Sequence, residues 1–364
     1  MIQTTGAVWD GVELVVTDEL EVREPGPGEV SLRVLASGIC HSDLNVLDGQ
    51  NPVSLPVVLG HEAAGIVDRV GEGVTSFSPG DAVVVGSTVP CGTCRFCTTE
   101  RSSECPDAFR AGPPPFRWRG QPVRAFANIS SWAGTTTVRA SQLVHAPGIP
   151  ATSAALIGCA VSTGYGVVRN VAQVRPGDAV VVFGVGGIGV NVIQTARLSG
   201  AACVLAVDVN PAKAEVADRF GALDTLIAQP SDTGEVLAGL IRTKIGVPVD
   251  VAVECSGAPA AIDAAIVCTA WGGTTALVGI PRAGARASFA VDDLLRNRRI
   301  AGSLNGSVDL QRDFTAIVEH VHNGELDVDA QVSRVWPLRD IDEAVAAVRA
   351  GSVVRAVLSH AAVA

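Results

Sequence analysis

Apolar positions fall into two textures along the chain. From Met1 to about Ala160 they come in short alternating runs. Val30, Leu32 and Val34 are separated by polar neighbours, and Ile66-Val67 and Val83-Val84-Val85 form similar short pieces. Turn formers interrupt them at Pro25-Gly26-Pro27-Gly28, Gly71-Glu72-Gly73 and Pro79-Gly80-Asp81. Many short strands punctuated in this way predict a small barrel or sandwich. After about Val161 the apolar runs alternate with helical patterns. Residues 179–183, 202–207, 249–255 and 274–280 read as strands, the first covered on both faces, and 188–198, 211–220 and 258–269 read as helices between them. That alternation predicts an α/β domain with a doubly wound parallel sheet. Near the C-terminus two amphipathic helices are marked by Phe314, Ile317, Val318 and Val321 and by Ile341, Ala344, Val345 and Val348. Asp340 caps the second, with Glu343 behind it.

The first buried strand runs straight into Gly184-Val185-Gly186-Gly187-Ile188-Gly189. The first glycine permits a tight turn, the second lets the backbone approach a pyrophosphate, and Gly189 lets the following helix pack on the strand. The N–H groups at the start of that helix then face the phosphates. Asp208 closes the next strand about 20 residues further on, where a carboxylate accepts the ribose hydroxyls of NAD and repels the 2′-phosphate of NADP. The expected cofactor is therefore NAD.

Composition narrows the partners. The chain has 364 residues, 48% hydrophobic and 18% charged, with a net charge of -10. The length accommodates about two domains with their own cores, and the acidic balance argues against a nucleic-acid partner. Residues 1–13 lack a basic stretch followed by an apolar core, and no apolar run approaches the about 20 residues a membrane span needs. A soluble, cytoplasmic protein without a membrane partner is expected. In that compartment nine cysteines point to metal ligands before disulfides. Cys91, Cys94, Cys97 and Cys105 lie close together in a Gly- and Pro-rich loop, a spacing that completes a tetrahedral, closed shell around structural Zn²⁺. Cys203, Cys255 and Cys268 read as small buried hydrophobes. Cys40, His61 and Cys159 sit among glycine and polar residues, and spacing alone does not join them.

Gly60-His61-Glu62-Ala63-Ala64-Gly65, the four-cysteine loop, Gly158-Cys159-Ala160-Val161-Ser162-Thr163-Gly164-Tyr165-Gly166 and the nucleotide loop occur in that order. Together they resemble the zinc-dependent medium-chain alcohol dehydrogenases, and most of all the branch of animal-type and formaldehyde-oxidising enzymes. The resemblance covers essentially the whole chain. It implies a Rossmann-type doubly wound parallel sheet inserted into a GroES-like β-barrel catalytic domain. The catalytic domain would take residues 1–160, with a structural zinc lobe at about 90–106; the NAD-binding domain would take 161–304; and 305–364 would return to the catalytic domain. It also implies two Zn²⁺ per chain, the catalytic one on Cys40, His61 and Cys159 with a fourth position for water or substrate. Glu62 and Asp43 match positions that orient the imidazole or tune the metal, and Ser42 matches the hydroxyl that takes the alcohol proton. Asn45 stands where relatives often carry a histidine that passes the proton on.

By the same resemblance His41 and Arg355 match basic positions near the pyrophosphate, Lys213 the adenosine ribose, and Thr163 the nicotinamide, while Ile280 belongs to the cofactor site. Phe126, Ile280 and Leu304 align with walls of the substrate pocket. Ser87 stands where relatives often carry a phenylalanine, which implies a wider pocket. Arg110, Arg117, Arg119 and Arg124 follow the cysteine loop and are read as solvated. The implied reaction interconverts a medium-sized or aromatic primary alcohol and its aldehyde with NAD. Alternatives are oxidation of a thiol adduct of formaldehyde and a dehydrogenase that keeps its NAD bound; a non-enzymatic NAD-binding protein is disfavoured because all three catalytic-zinc positions are present. A homodimer is expected, pairing residues 274–280 and the run near 288–291 between copies, and the family also forms tetramers.

Overall fold

The computed structural model describes residues 1–360, which divide into two compact units, 1–159 with the segment from Asp309 onward, and 160–308. In the first unit, strands Ile2–Trp9, Leu14–Val22, Phe116–Trp118, Gln121–Ala125 and Val57–Val58 close into a barrel. A second sheet orders Leu143–His145, Ala82–Val85, Glu62–Val70, Glu29–Ile39, Arg355–Ser359 and Val332–Pro337, with Thr135–Arg139 also paired to Glu29–Ile39. The alternation of Val30, Leu32 and Val34 is realised as one inward face that meets Ala63, Val67, Val83 and Val85. Burying each such valine or leucine contributes about 1.5–3 kcal/mol. The chain leaves this unit and comes back. Arg355–Ser359 lies antiparallel to Glu29–Ile39 with Ala356 opposite Ile39, so a segment from the far end of the chain shares a sheet with the strand that ends next to Cys40.

The second unit carries six parallel strands in the order Asp224–Ile227, Cys203–Asp208, Ala179–Phe183, Val249–Glu254, Thr269–Leu277 and Arg299–Gly302. Ala179–Phe183 is buried along its whole length, as expected for a strand covered on both faces. The order reverses between Ala179–Phe183 and Val249–Glu254, and the crevice at such a point, outside the C-terminal strand ends, is where α/β sheets take ligands.

Several expectations change. Thr269–Leu277 has a strand on either side and residues 288–290 are not in a strand, so neither offers a free edge for a partner copy; the edge strands are Asp224–Ile227 and Arg299–Gly302. Asp340 stands at the N-cap of Ile341–Arg349 but its side chain makes no cap bond, lying instead 3.7 Å from Arg339 Nε. An unbroken helical run covers Ala151–Ala172, 22 residues, and is apolar enough by length and composition to cross a membrane. The expectation of no such run missed it because glycines, serines and threonines interrupt the apolar pattern. Its most apolar window is 83% buried inside the protein, which makes it a core helix. Two of its turns, Ile157–Val161 and Val167–Ala172, are π-helical.

Candidate functional site

Three separate segments bring the first cluster together within the barrel unit. Cys40 follows the Glu29–Ile39 strand and stands at the N-cap of the helix His41–Leu47. His61 precedes the Glu62–Val70 strand, behind Gly60, whose φ of 86° places it in the left-handed region that favours glycine. Cys159 lies in the π-helical turn Ile157–Val161, a local widening that recurs at functional sites. The ligand atoms of Cys40, His61, Glu62 and Cys159 all lie within 4.8 Å of one another.

Asp43 organises the cluster. Fully buried, its carboxylate accepts from Cys40 N at 3.1 Å, Gly60 N at 3.0 Å and His61 Nδ1 at 3.0 Å. With Nδ1–H donated to Asp43, Nε2 keeps its lone pair for a metal. Burial pulls the His61 pKa down, but the Asp43 charge and bond and the neighbouring Cys40 raise it well above its ordinary value. Cys40 is held well below the usual thiol range, chiefly by the hydrogen bond from Cys159, then against burial by His61. The Cys159 pKa is pushed well up by the same contact and by burial.

Glu62, in the same cluster, is bonded to Arg355. Its Oε2 accepts from Arg355 Nη2, and Oε1 has no hydrogen-bond partner among the described residues. Burial pushes its carboxyl up to about 7, Arg355 opposing and Cys40 adding to the rise. The pair meets because Gly38 is opposite Glu62 in the sheet; a Cβ on Gly38 would lie 1.8 Å from Glu62 Oε2. Two thiols, Glu62 and Asp43 therefore converge with one guanidinium among the described residues. Charges buried without a partner are costly, and two sulfurs with one imidazole nitrogen suit Zn²⁺. Zinc fits this donor set.

Cys91, Cys94, Cys97 and Cys105 also bring their sulfurs within 4.8 Å of one another. Cys94 N donates to Cys91 Sγ at 3.3 Å and Cys91 N to Cys105 Sγ at 3.4 Å. Backbone N–H groups of Thr93 and Cys94 lower Cys91 to about 6, while burial and the other thiols push Cys97 up to about 12. Ser102 Oγ donates to Asp309 Oδ2 at 2.9 Å, fastening the lobe to the returning segment. A set of thiols alone fits a closed zinc shell.

In the second unit the glycine loop takes the shape its sequence requires. Gly184 has a φ of 89°, a Cβ on Gly186 would meet no atom within 4 Å, and one on Gly189 would lie 1.9 Å from the Gly184 carbonyl oxygen. Gly186 caps the helix Gly187–Leu198, with Ile188 in its first turn. Asp208 Oδ2 accepts from Val185 N at 2.7 Å and Oδ1 from Asn210 N at 2.9 Å, so the acid is tied to the glycine loop. A dinucleotide fits this cradle. Thr163 Oγ1 donates to Asn305 Oδ1 at 3.3 Å, and Lys213 opens the helix Lys213–Arg219.

The remaining candidates scatter. His41 is exposed and Ser42 half-buried, with Ser42 Oγ 3.9 Å from Cys40 Sγ. The Asn45 carbonyl accepts from Gln50 N and Asn51 N. Arg355, expected at the pyrophosphate, is buried in the barrel unit against Glu62. Ser87 is buried, while Ile280 and Leu304 are exposed. Phe126 packs edge-on to the His61 ring, centroids 5.6 Å apart. Cys268 is buried as expected, but Cys203 and Cys255 are only half-buried. The sequence reading missed the Glu62–Arg355 pair and the buried Glu254; the signal for Glu254 was an acid closing an apolar strand, as Asp208 does.

Comparison with known proteins adds two family matches, "Alcohol dehydrogenase GroES-like domain" over residues 26–148 and "Zinc-binding dehydrogenase" over 187–323. The S-(hydroxymethyl)glutathione dehydrogenase of Synechocystis sp. is 36% identical over 354 residues, covering 94% of this chain and 95% of the relative. Among solved structures, an alcohol dehydrogenase zinc-binding domain protein from Burkholderia ambifaria is similar with a TM-score of 0.91 and 31% identity over 98% of each chain. Benzyl alcohol dehydrogenase from Acinetobacter calcoaceticus has a TM-score of 0.89 and 28% identity over 99% of this chain and 100% of that one.

Proposed function

We propose, from the premise that this chain belongs to the zinc-dependent medium-chain alcohol dehydrogenase family, that it is a cytoplasmic enzyme interconverting an uncharged, medium-sized or aromatic primary alcohol and its aldehyde with NAD. The observation that carries this reading is the contrast between a closed set of thiols and a set of Cys40, His61 and Cys159 that, with the neighbouring Glu62 taken by Arg355, leaves a tetrahedral metal one position short. Zinc bound there supplies a Lewis acid that lowers the pKa of an alcohol, as it does for water. Cys40, His61 and Cys159 would hold it. Asp43 would keep His61 in one tautomer and orientation, and Ser42 would receive the hydroxyl proton. Asn45 has no group that titrates, so the proton would leave by the cofactor ribose, water or another base. Asp208 would accept the adenosine ribose hydroxyls. A homodimer belongs to the same reading, with its seam at Arg299–Gly302, the edge strand next to Thr269–Leu277.

The preference for an uncharged substrate rests on the barrel. Arg117, Arg119 and Arg124 are all exposed around the Phe116–Trp118 and Gln121–Ala125 strands, while Phe116, Trp118 and Val123 turn inward. Arg119 lies over the Trp118 ring and 3.6 Å from Glu19, and Arg110 is 4.0 Å from Asp107. The Arg119 and Arg110 guanidinium groups thus have partners of their own, which favours solvated arginines over a site for a charged substrate. The edge-on Phe126 brings an aromatic wall to His61. Turnover of benzyl alcohol and ethanol with NAD tests the reading: kcat/KM favouring benzyl alcohol is expected, and a marked preference for ethanol would refute the wide pocket. The similarity to a glutathione-adduct dehydrogenase favours a second reading, oxidation of a thiol adduct of formaldehyde. Turnover of formaldehyde only when glutathione is present would replace the first reading with the second.

A further inference from the structure

Asp208 lies on one side of the sheet's reversal point. The strand order places Cys203–Asp208 and Asp224–Ile227 on that side of Ala179–Phe183, and Val249–Glu254, Thr269–Leu277 and Arg299–Gly302 on the other. A dinucleotide lying across such a crevice puts one nucleotide on each half. If Asp208 serves the adenosine ribose, the nicotinamide half falls to the strands that begin with Val249–Glu254.

At the C-terminal end of that strand sits Glu254, with no exposed surface. Its carboxylate is held by the turn that follows it. Oε1 accepts from Ser256 N at 2.7 Å, Ser256 Oγ at 2.5 Å and Gly257 N at 2.9 Å, and Oε2 accepts from Gly257 N at 3.1 Å. The backbone carbonyl of the same residue accepts from Val278 N and Gly279 N, both at 2.9 Å. The turn it shapes is tight on every side. Gly257 has a φ of 72°, and a Cβ there would lie 2.5 Å from the Ile280 carbonyl oxygen; one on Gly279 would lie 2.7 Å from Glu254 Oε2. A Cβ on Gly184, in the nucleotide loop, would lie 3.2 Å from Ser256 Cβ. Glu254 thus stands where the glycine loop, the Ser256-Gly257 turn and the Gly279-Ile280 turn meet.

A carboxylate without solvent costs several kcal/mol unless fully bonded, and burial raises the Glu254 pKa against the bonds from Ser256 and Gly257. Among the buried residues of the six strands the others are apolar or threonine, so Glu254 is the one buried carboxylate in the described sheet. The acid does match the donors of the turn.

We propose that Glu254 is a positioning residue that fixes the Ser256-Gly257 and Gly279-Ile280 turns in the shape that receives the nicotinamide half of the cofactor, an inference that rests on the NAD reading above. Glu254 acts through the turns and not by touching the cofactor. Glu254→Gln keeps the size of the side chain but sets an NH₂ group against N–H donors. The experiment compares NADH, followed by its fluorescence, with ADP-ribose, which lacks the nicotinamide, followed by calorimetry, on the full-length native chain and on E254Q. The expected result is NADH binding weaker by about tenfold or more, with ADP-ribose affinity unchanged. E254Q that binds both as the native chain does, or that loses both equally, overturns the inference. A native chain that binds ADP-ribose and not NADH would refute the NAD reading itself, and this inference with it. Should E254Q not fold, Ser256→Ala removes one donor and leaves the acid. Its expected effect is a loss of about threefold for NADH alone, and equal NADH affinity in S256A and the native chain overturns the inference.

Discussion

The two sulfur clusters of the barrel unit are built in opposite ways. Cys91, Cys94, Cys97 and Cys105 come from one loop, their sulfurs organised by neighbouring N–H groups, and Cys91 is exposed. Cys40, His61 and Cys159 come from three segments, with the two half-buried thiols around a buried imidazole that Asp43 holds by its far nitrogen. The lobe needs only a local turn to form, so its metal would act as a staple. The buried set needs the whole sheet in register, and its geometry depends on groups that never touch a metal. On the proposed reading, closure of the shell and control of the imidazole would separate a staple from a reactive site.

Substitutions can break this comparison. The largest effect is expected at His61. His61→Ala should reduce alcohol turnover by about a thousandfold or more, about 4 kcal/mol of barrier, and lower zinc from two ions per chain to one by elemental analysis. Cys97→Ser should also remove one zinc, but its cost should fall on folding, about 3 kcal/mol by denaturant unfolding, with kcat of the folded chain near native. If C97S loses turnover and keeps its stability, the division is wrong. Next comes Asp43→Asn. An amide can accept some of the three N–H bonds, but its NH₂ group opposes one donor and its charge is gone. Zinc affinity at the buried set should fall about 10–100-fold, measured by chelator competition, while the lobe keeps its ion.

The smallest effect sharpens the local side. In metal-stripped chain Cys91, lowered to about 6, should be alkylated before Cys97, which is pushed up to about 12. The thiolate is the reactive form, so the Cys91 rate should fall as pH drops below its pKa, about tenfold between pH 7 and pH 5. Peptide mass spectrometry reads the order and the slope, and a rate independent of pH would remove the local electrostatic account.

Legibility follows the distance between the groups involved. The glycine loop, Asp208 and the lobe were visible because each is a short run whose spacing has one physical use. The Asp340 cap was read from the same kind of pattern, yet its side chain makes no cap bond, because proximity in sequence offers a bond without requiring it. Apolar periodicity gave the strands but not the helix at Ala151–Ala172, whose glycines and hydroxyls obscure the pattern until packing covers them. Cys40, His61 and Cys159 were joined only by resemblance to a family; nothing in their spacing did it.

By itself the sequence determined the doubly wound sheet, the shape of the glycine loop and the thiol lobe, because strand period, turn chemistry and ligand spacing act over a few residues. Tertiary structure decided that Asp43 rather than Glu62 holds the imidazole, that Arg355 lies against Glu62, and that Glu254 anchors two turns. Each depends on strand register. Gly38 lies opposite Glu62, Ala356 opposite Ile39, and Glu254 opposite both Phe183 and Leu277. A slip of one residue would turn these side chains to the other face of the sheet, and that register is set by the burial of whole strands, which no short motif encodes.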